Sequence, residues 1–210
     1  MINLPAIDTT ERLIHGSLLK CVDGRWSTQD NPEMTGRQLL ALTTVKANQR
    51  WRLNEPPETV LDIGGGLPDI DQLNVAIPRA EWEIGLDDQP RPPWQRQYVV
   101  YLLDTSDASI YTFANGTVGA RIAWEKLRER VSWMRALRGA EVFPLIKLEC
   151  RPMKTGHGTK LRPEFSVADW RDLGNNGGPQ PIEGTPPHAI GKPVTRPEAD
   201  NSDMKDAIPF

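Results

Sequence analysis

The chain has 210 residues, 38% of them hydrophobic, with 17 Gly and 19 Pro; this fits one folded domain of about 150–170 residues plus long irregular segments. The net charge of −3 excludes a uniformly basic nucleic-acid binder, and no apolar run approaches the about 18 residues a membrane-spanning helix needs. The N-terminus lacks a basic region followed by an apolar run, so no signal peptide is predicted.

Residues 1–36 are weakly patterned. Leu13, Ile14, Leu18 and Leu19 are apolar, but Gly16, Gly24 and Pro32 interrupt any long element. An irregular N-terminal arm is predicted. It carries Cys21; the only other cysteine, Cys150, is far away in the chain, so neither a disulfide framework nor a zinc site is expected. Residues 37–52 read as a strand, with Leu40, Leu42, Thr44 and Lys46 on one face and Leu39, Ala41, Thr43 and Val45 on the other. Its end sets Lys46, Arg50 and Arg52 around Trp51. An indole can stack on a base while cations contact phosphate; an edge Trp at a strand end fits the same residues.

Residues 53–97 contain seven Pro and are predicted to be a long loop insertion. Within it, Val60-Leu61-Asp62-Ile63-Gly64-Gly65-Gly66 resembles the first nucleotide-binding motif of methyltransferases. That motif needs a strand, a Gly turn and then a helix whose N-terminus faces the ligand. No long amphipathic helix develops before Pro78, so a Gly-rich turn is the expectation.

Tyr98 to Leu103 is a β-branched and aromatic run, a second strand. Ile110 to Ala114 returns as a third, with Tyr111 and Phe113 on one face. A helix is predicted over 117–137. Thr117 or Asn115 can cap it, Ala120, Ala123, Trp124, Leu127, Val131 and Met134 form its apolar stripe, and Gly139 can stop it. Val142 to Cys150 is a fourth strand. Arg151 to Arg162 reads as a flexible basic finger with Lys154, His157 and Lys160 around two Gly, and 163–170 alternates as a fifth strand. Residues 121–162 hold 11 basic against 4 acidic residues, net +7, while 171–210 hold 4 against 6, net −2. Nucleic-acid binders show such asymmetry; for the helical part alone a solvated helix face is the better reading.

After Trp170 bulky apolar residues become rare. Residues 171–200 are predicted to be a flexible linker that cannot offset its ordering entropy by burial. About 30 such residues reach roughly 30 Å. The chain ends Asn201-Ser202-Asp203-Met204-Lys205-Asp206-Ala207-Ile208-Pro209-Phe210. Ile208 and Phe210 are two apolar anchors joined by a stiff Pro209, and the terminal carboxylate lies beside the Phe210 ring. Asp203 and Asp206 add steering towards a basic surface.

This tip resembles the C-terminal tip of bacterial single-stranded-DNA-binding proteins, in which a flexible linker ends in several Asp followed by Ile-Pro-Phe. Lys205 and Ala207 stand where that family carries more acid. The resemblance covers about the last ten residues. It implies a peptide that recruits replication, recombination and repair enzymes, in the cytoplasm of a bacterial or phage-infected cell.

The order of elements in the body resembles a divergent, phage-type OB fold: mainly β, a five-stranded barrel with one helix between strands three and four. OB folds bind single strands across strands two and three and through loops one–two and four–five. The single-stranded-DNA site is therefore expected to comprise Lys46, Arg50, Trp51, Arg52, Tyr98, Tyr101, Tyr111, Phe113, Lys147, Arg151, Lys154, His157, Lys160 and Arg162, the four aromatics fitting barrel core as well as groove. The partner-binding site is expected at Asp203, Asp206, Ile208, Pro209 and Phe210. His15, His157 and His188 are scattered, with no partner at a catalytic or metal-binding spacing. The expectation is a non-enzyme without metal or cofactor that coats single-stranded DNA, can self-associate and recruits partners through its tip. An OB-like adaptor that binds protein and an RNA-binding protein are the alternatives.

Overall fold

In the computed structural model, residues 12–52, 55–62, 66–85, 88–156 and 158–173 are described. The linker and the tip expected at 171–200 and 201–210 lie outside them, apart from 171–173, as does His157.

The strand predicted at 37–52 is β3, Gln38–Arg52. It is the spine of the sheet. One edge pairs antiparallel with β5, Trp94–Leu103, along nearly its whole length. The other edge is shared. Gln38 to Leu40 pair with β7, Val142–Thr155, and Ala47 to Arg52 pair with β4, Glu55–Leu61. A register shift between Ala41 and Thr43 interrupts strict alternation, so Leu39, Leu40 and Ala41 are all buried. β5 continues to β6, Ile110–Asn115, and β7 folds back antiparallel on β8, Gly158–Asp172. The fold is mainly β, and the sheet curls into a half-barrel.

Among the described residues eight strands are present where five were expected. The predicted irregular arm contributes two. β1, Ser17–Val22, pairs parallel with β6 and antiparallel with β2, Arg25–Ser27. The sheet order is β2-β1-β6-β5-β3-β7-β8, with β4 beside β3. Gly16 admits the chain to β1: a Cβ there would lie 1.9 Å from the Ile110 carbonyl oxygen, and its φ of +65° suits glycine. The predicted 53–97 loop is likewise partly built. Besides β4 it holds the short helix α1, Ile70–Val75, and a 3₁₀ turn, Arg79–Glu81. Asn74 of α1 accepts a hydrogen bond from the Trp94 amide and donates one to the Trp94 carbonyl, at 2.9 and 3.1 Å. Asn48 of β3 donates to the Pro68 carbonyl. Pro56 and Pro57 suit β4 because among the described residues it pairs through one edge only.

The long helix α2 spans Val118–Arg138, with Thr117 as N-cap accepting from the Ala120 amide and Gly139 at the C-cap. Ala120, Ala123, Trp124 and Leu127 are buried in the main core with Trp26, Val100, Leu102, Phe113, Ile146, Leu148 and Phe165. α2 approaches β8 closely at Gly119, where a Cβ would come within 2.7 Å of the Arg162 Cβ. The opposite face of β5 is buried too: Val99 and Tyr101 pack with Ala47 and Leu13 in a second cluster. No helix among the described residues is long and apolar enough to cross a membrane.

Candidate nucleic-acid interface

At one end of the sheet β3 and β5 continue beyond the main core cluster, although Asn48, Gln49 and Trp94 are still buried there. There Lys46 pairs in register with Tyr98, Asn48 with Arg96, and Arg50 with Trp94. Side chains of paired residues leave the same face of a sheet. Tyr98, Arg96 and Trp94 therefore alternate aromatic and cation down β5, while on β3 the buried Asn48 separates Lys46 from Arg50; Trp94 is itself buried. α1 and the start of α2 border this surface. Between them lies a cleft of about 530 Å³ lined by Asp71, Arg91, Arg96, Tyr98, Thr117 and Arg121. Arg96 and Arg121 have no carboxylate partner among the described residues. The first turn of α2 adds the partial positive charge of its unpaired amides. Tyr98 is half-buried; its ring packs on Trp124 at 5.7 Å, and Lys46 Nζ sits 5.2 Å from the Trp124 ring. Lys46 thus stays beside Tyr98 as a charge without an ion pair among the described residues.

A second cleft of about 330 Å³ lies alongside, lined by Arg50, Trp51, Arg52 and Gln95 with Glu81 and Glu83. Arg91, Pro92 and Gln95 line both clefts, which makes them neighbours. Trp51 is 55% exposed and presents its indole to solvent. Arg52 is held by Glu55 and Glu58 at 3.3 and 3.2 Å, so Arg50 is the cation of that trio without a carboxylate partner among the described residues.

Of the expected site residues, the structure places Arg50, Trp51 and Arg52 in one cleft and Tyr98 in its neighbour; Lys46 pairs with Tyr98 in the sheet but lines neither cleft. Others must be corrected. Tyr101 and Phe113 have no exposed surface and Tyr111 is buried, so none of them offers a ring to a base. Phe113 lies against Trp26 and Phe165, at ring distances of 5.3 and 5.4 Å. Tyr101 faces the other way, where its hydroxyl donates to the Leu13 carbonyl at 3.1 Å and His15 meets its ring edge-on. Burial pushes the Tyr101 phenol up to about 12. These rings are core because the β5–β6 sheet is covered on both faces.

The basic finger is a regular hairpin, β7–β8, paired through to Thr155 and Gly158. Arg162 is a buried cation, ion-paired to Glu164, which also draws Lys126 at 3.7 Å and Arg151 at 3.8 Å. That cluster ties α2 to the hairpin and leaves Arg162 unavailable to phosphate. Lys147 pairs with Glu149 at 3.1 Å, and the Ser166 hydroxyl together with Lys147 holds the Glu149 carboxyl below the usual range. Lys154 and Lys160 are exposed without an ion-pair partner among the described residues, but they line neither cleft. His157, Asp203, Asp206, Ile208, Pro209 and Phe210 lie outside the described residues.

The sequence reading missed Arg91, Arg96 and Arg121. The i, i+2 spacing of Arg96 and Tyr98 was the available signal once β5 is begun at Trp94. The methyltransferase-like stretch leads from β4, an antiparallel edge strand, towards a six-residue helix. That is not the parallel strand–turn–helix unit the motif requires. No group of three or more potential metal ligands occurs among the described residues.

No protein-family model, curated protein or solved structure matches the chain. The site is therefore read from its own residues.

Proposed function

We propose that the chain binds single-stranded DNA through the two adjoining clefts and recruits partner enzymes through its acidic Ile-Pro-Phe tip. The observation that carries the reading is Arg96 and Arg121 with Tyr98 in one cleft and Arg50 with the exposed Trp51 in the next, Lys46 standing beside Tyr98 in the sheet register. Stacking on an aromatic contributes about 1–3 kcal/mol per base with little sequence preference, and unpaired cations follow the phosphates. Five strands, β3, β5, β6, β7 and β8, with α2 between the third and fourth, agree with a divergent OB-like body. In this reading β1 and β2 are additions to that body, and the binding surface has moved from the middle of strands two and three to the end of β3 and β5.

A cytoplasmic protein without catalytic or cofactor chemistry, able to self-associate on its strand, is part of the proposal. The adaptor alternative draws on the outer face of α2, where Trp133 and Leu137 are 67% and 78% exposed. Salt separates the two. Cation–phosphate binding weakens as counterions compete, whereas an apolar protein contact changes little.

The division of labour is tested by removing Asp206 to Phe210. Affinity for oligo-dT is expected to stay equal or rise severalfold, since an acidic competitor for the cationic clefts is gone. Pull-down of bacterial replication and repair enzymes by the shortened chain is expected to disappear. Loss of oligo-dT binding on this deletion would contradict the assignment.

A further inference from the structure

The two cysteines, distant in sequence, meet in space. Cys21 on β1 and Cys150 on β7 are 129 positions apart, yet their Sγ atoms lie 3.5 Å from each other. Both are half-buried free thiols. The surrounding backbone is held in place independently of them. Cys21 pairs with Trp26 across the β1–β2 hairpin. The Trp26 indole donates at 2.8 Å to the carbonyl of Glu149, the residue before Cys150. The Gly36 amide donates to the Leu148 carbonyl, and the Leu148 amide to the Arg37 carbonyl. A disulfide needs the sulfurs at about 2.05 Å, closer than the 3.5 Å at which they stand.

We infer that Cys21 and Cys150 form a reversible disulfide site that fastens the N-terminal β1–β2 hairpin to β7. The oxidant is a low-molecular-weight disulfide such as glutathione disulfide. One cysteine thiolate attacks it, forming a mixed disulfide and releasing one glutathione thiol. The second cysteine, after losing its proton, attacks the protein-side sulfur and releases the other. Two protein thiols are oxidised to one disulfide and one glutathione disulfide is reduced to two thiols. Burial, together with the neighbouring Cys150 sulfur, pushes the Cys21 thiol up to about 12 and burial also raises Cys150. Both therefore stay protonated in the folded chain at neutral pH, which slows exchange. The linkage closes a long loop in the unfolded chain, where a cross-link restricts the unfolded ensemble most.

The test uses the full chain, reduced and then treated with glutathione disulfide. One sample is kept folded and another is refolded from denaturant in the same buffer, which frees the thiols from burial. The expected product is monomeric, about 2 Da lighter, and gives a peptide joining Cys21 to Cys150. Dithiothreitol restores the original mass. Its melting temperature is expected to rise by about 5–15 °C. C21S and C150S are expected to show neither the mass loss nor the rise. A refolded chain that stays a dithiol, carries two glutathione adducts or links to a second chain would overturn the inference.

Discussion

The double variant Arg96→Gln, Arg121→Glu is expected to bind oligo-dT about 100-fold more weakly than the parent, with a melting temperature within about 2 °C of it. The two residues come from different elements, β5 and the first turn of α2, and meet in the same cleft without a carboxylate partner among the described residues. Each stands for about one phosphate contact, so the dependence of log affinity on log salt should flatten by about one to two units. The fold should tolerate the change. Arg121 is exposed, and an acid in the first turn of a helix complements the helix dipole. Fluorescence titration at two salt concentrations reads affinity and slope together. An unchanged affinity would remove the cleft from the site; a fall in affinity with an unchanged salt slope would point to altered packing around Tyr98 instead.

Trp26→Ala is expected to cost about 3–5 kcal/mol of stability, the range for deleting a large buried aromatic. Trp26 has no exposed surface. Its ring packs on Phe113 and Phe165 at 5.3 and 5.5 Å, and its Nε1 donates to the Glu149 carbonyl at 2.8 Å. The substitution removes the rings' shared neighbour and leaves that carbonyl without its indole donor. Trp51→Ala, at an exposed indole, is the control and should change stability by less than about 0.5 kcal/mol. Urea denaturation followed by circular dichroism measures both. A cost below about 1 kcal/mol for Trp26→Ala would mean that the β1–β2 segment packs on a barrel complete without it.

Trp26 also marks where sequence reading runs out. β3, β5, β6 and α2 were legible because each carries its own signal: alternation, β-branched runs, and a capped stripe at helical spacing. α2 lies within one residue of the expected 117–137 at either end. β1 has no such signal. It is six residues long, follows a glycine, and pairs with β6, whose residues lie more than 90 positions away. Pairing of that kind is a tertiary fact. β4 opens Glu-Pro-Pro, which locally argues against a strand; only its edge position makes the prolines acceptable.

The candidate site was legible in half. Lys46, Arg50 and Trp51 could be chosen from composition because they end an alternating strand. Tyr101 and Phe113 could not be assigned, since alternation tells which residues share a face and not whether that face is covered. The cover on Tyr101 comes from Leu13 and His15, in the segment expected to be an irregular arm. Arg121 was visible as one of 11 cations in a basic stretch, but only packing separates it from Arg162, which is buried against Glu164.

The central claim, binding of single strands at the Trp51 and Tyr98 clefts, is tested most directly by titrating the whole chain with oligo-dT, duplex DNA and RNA of equal length. Intrinsic Trp fluorescence is read at two salt concentrations, with Trp51 as the exposed reporter. The prediction is quenching by oligo-dT, much weaker binding of duplex, and a log–log salt slope of about −2 to −4, as expected for three to five phosphate contacts. RNA binding as tight as oligo-dT would move the proposal to RNA. No response to any nucleic acid would contradict the account and leave the adaptor reading in its place.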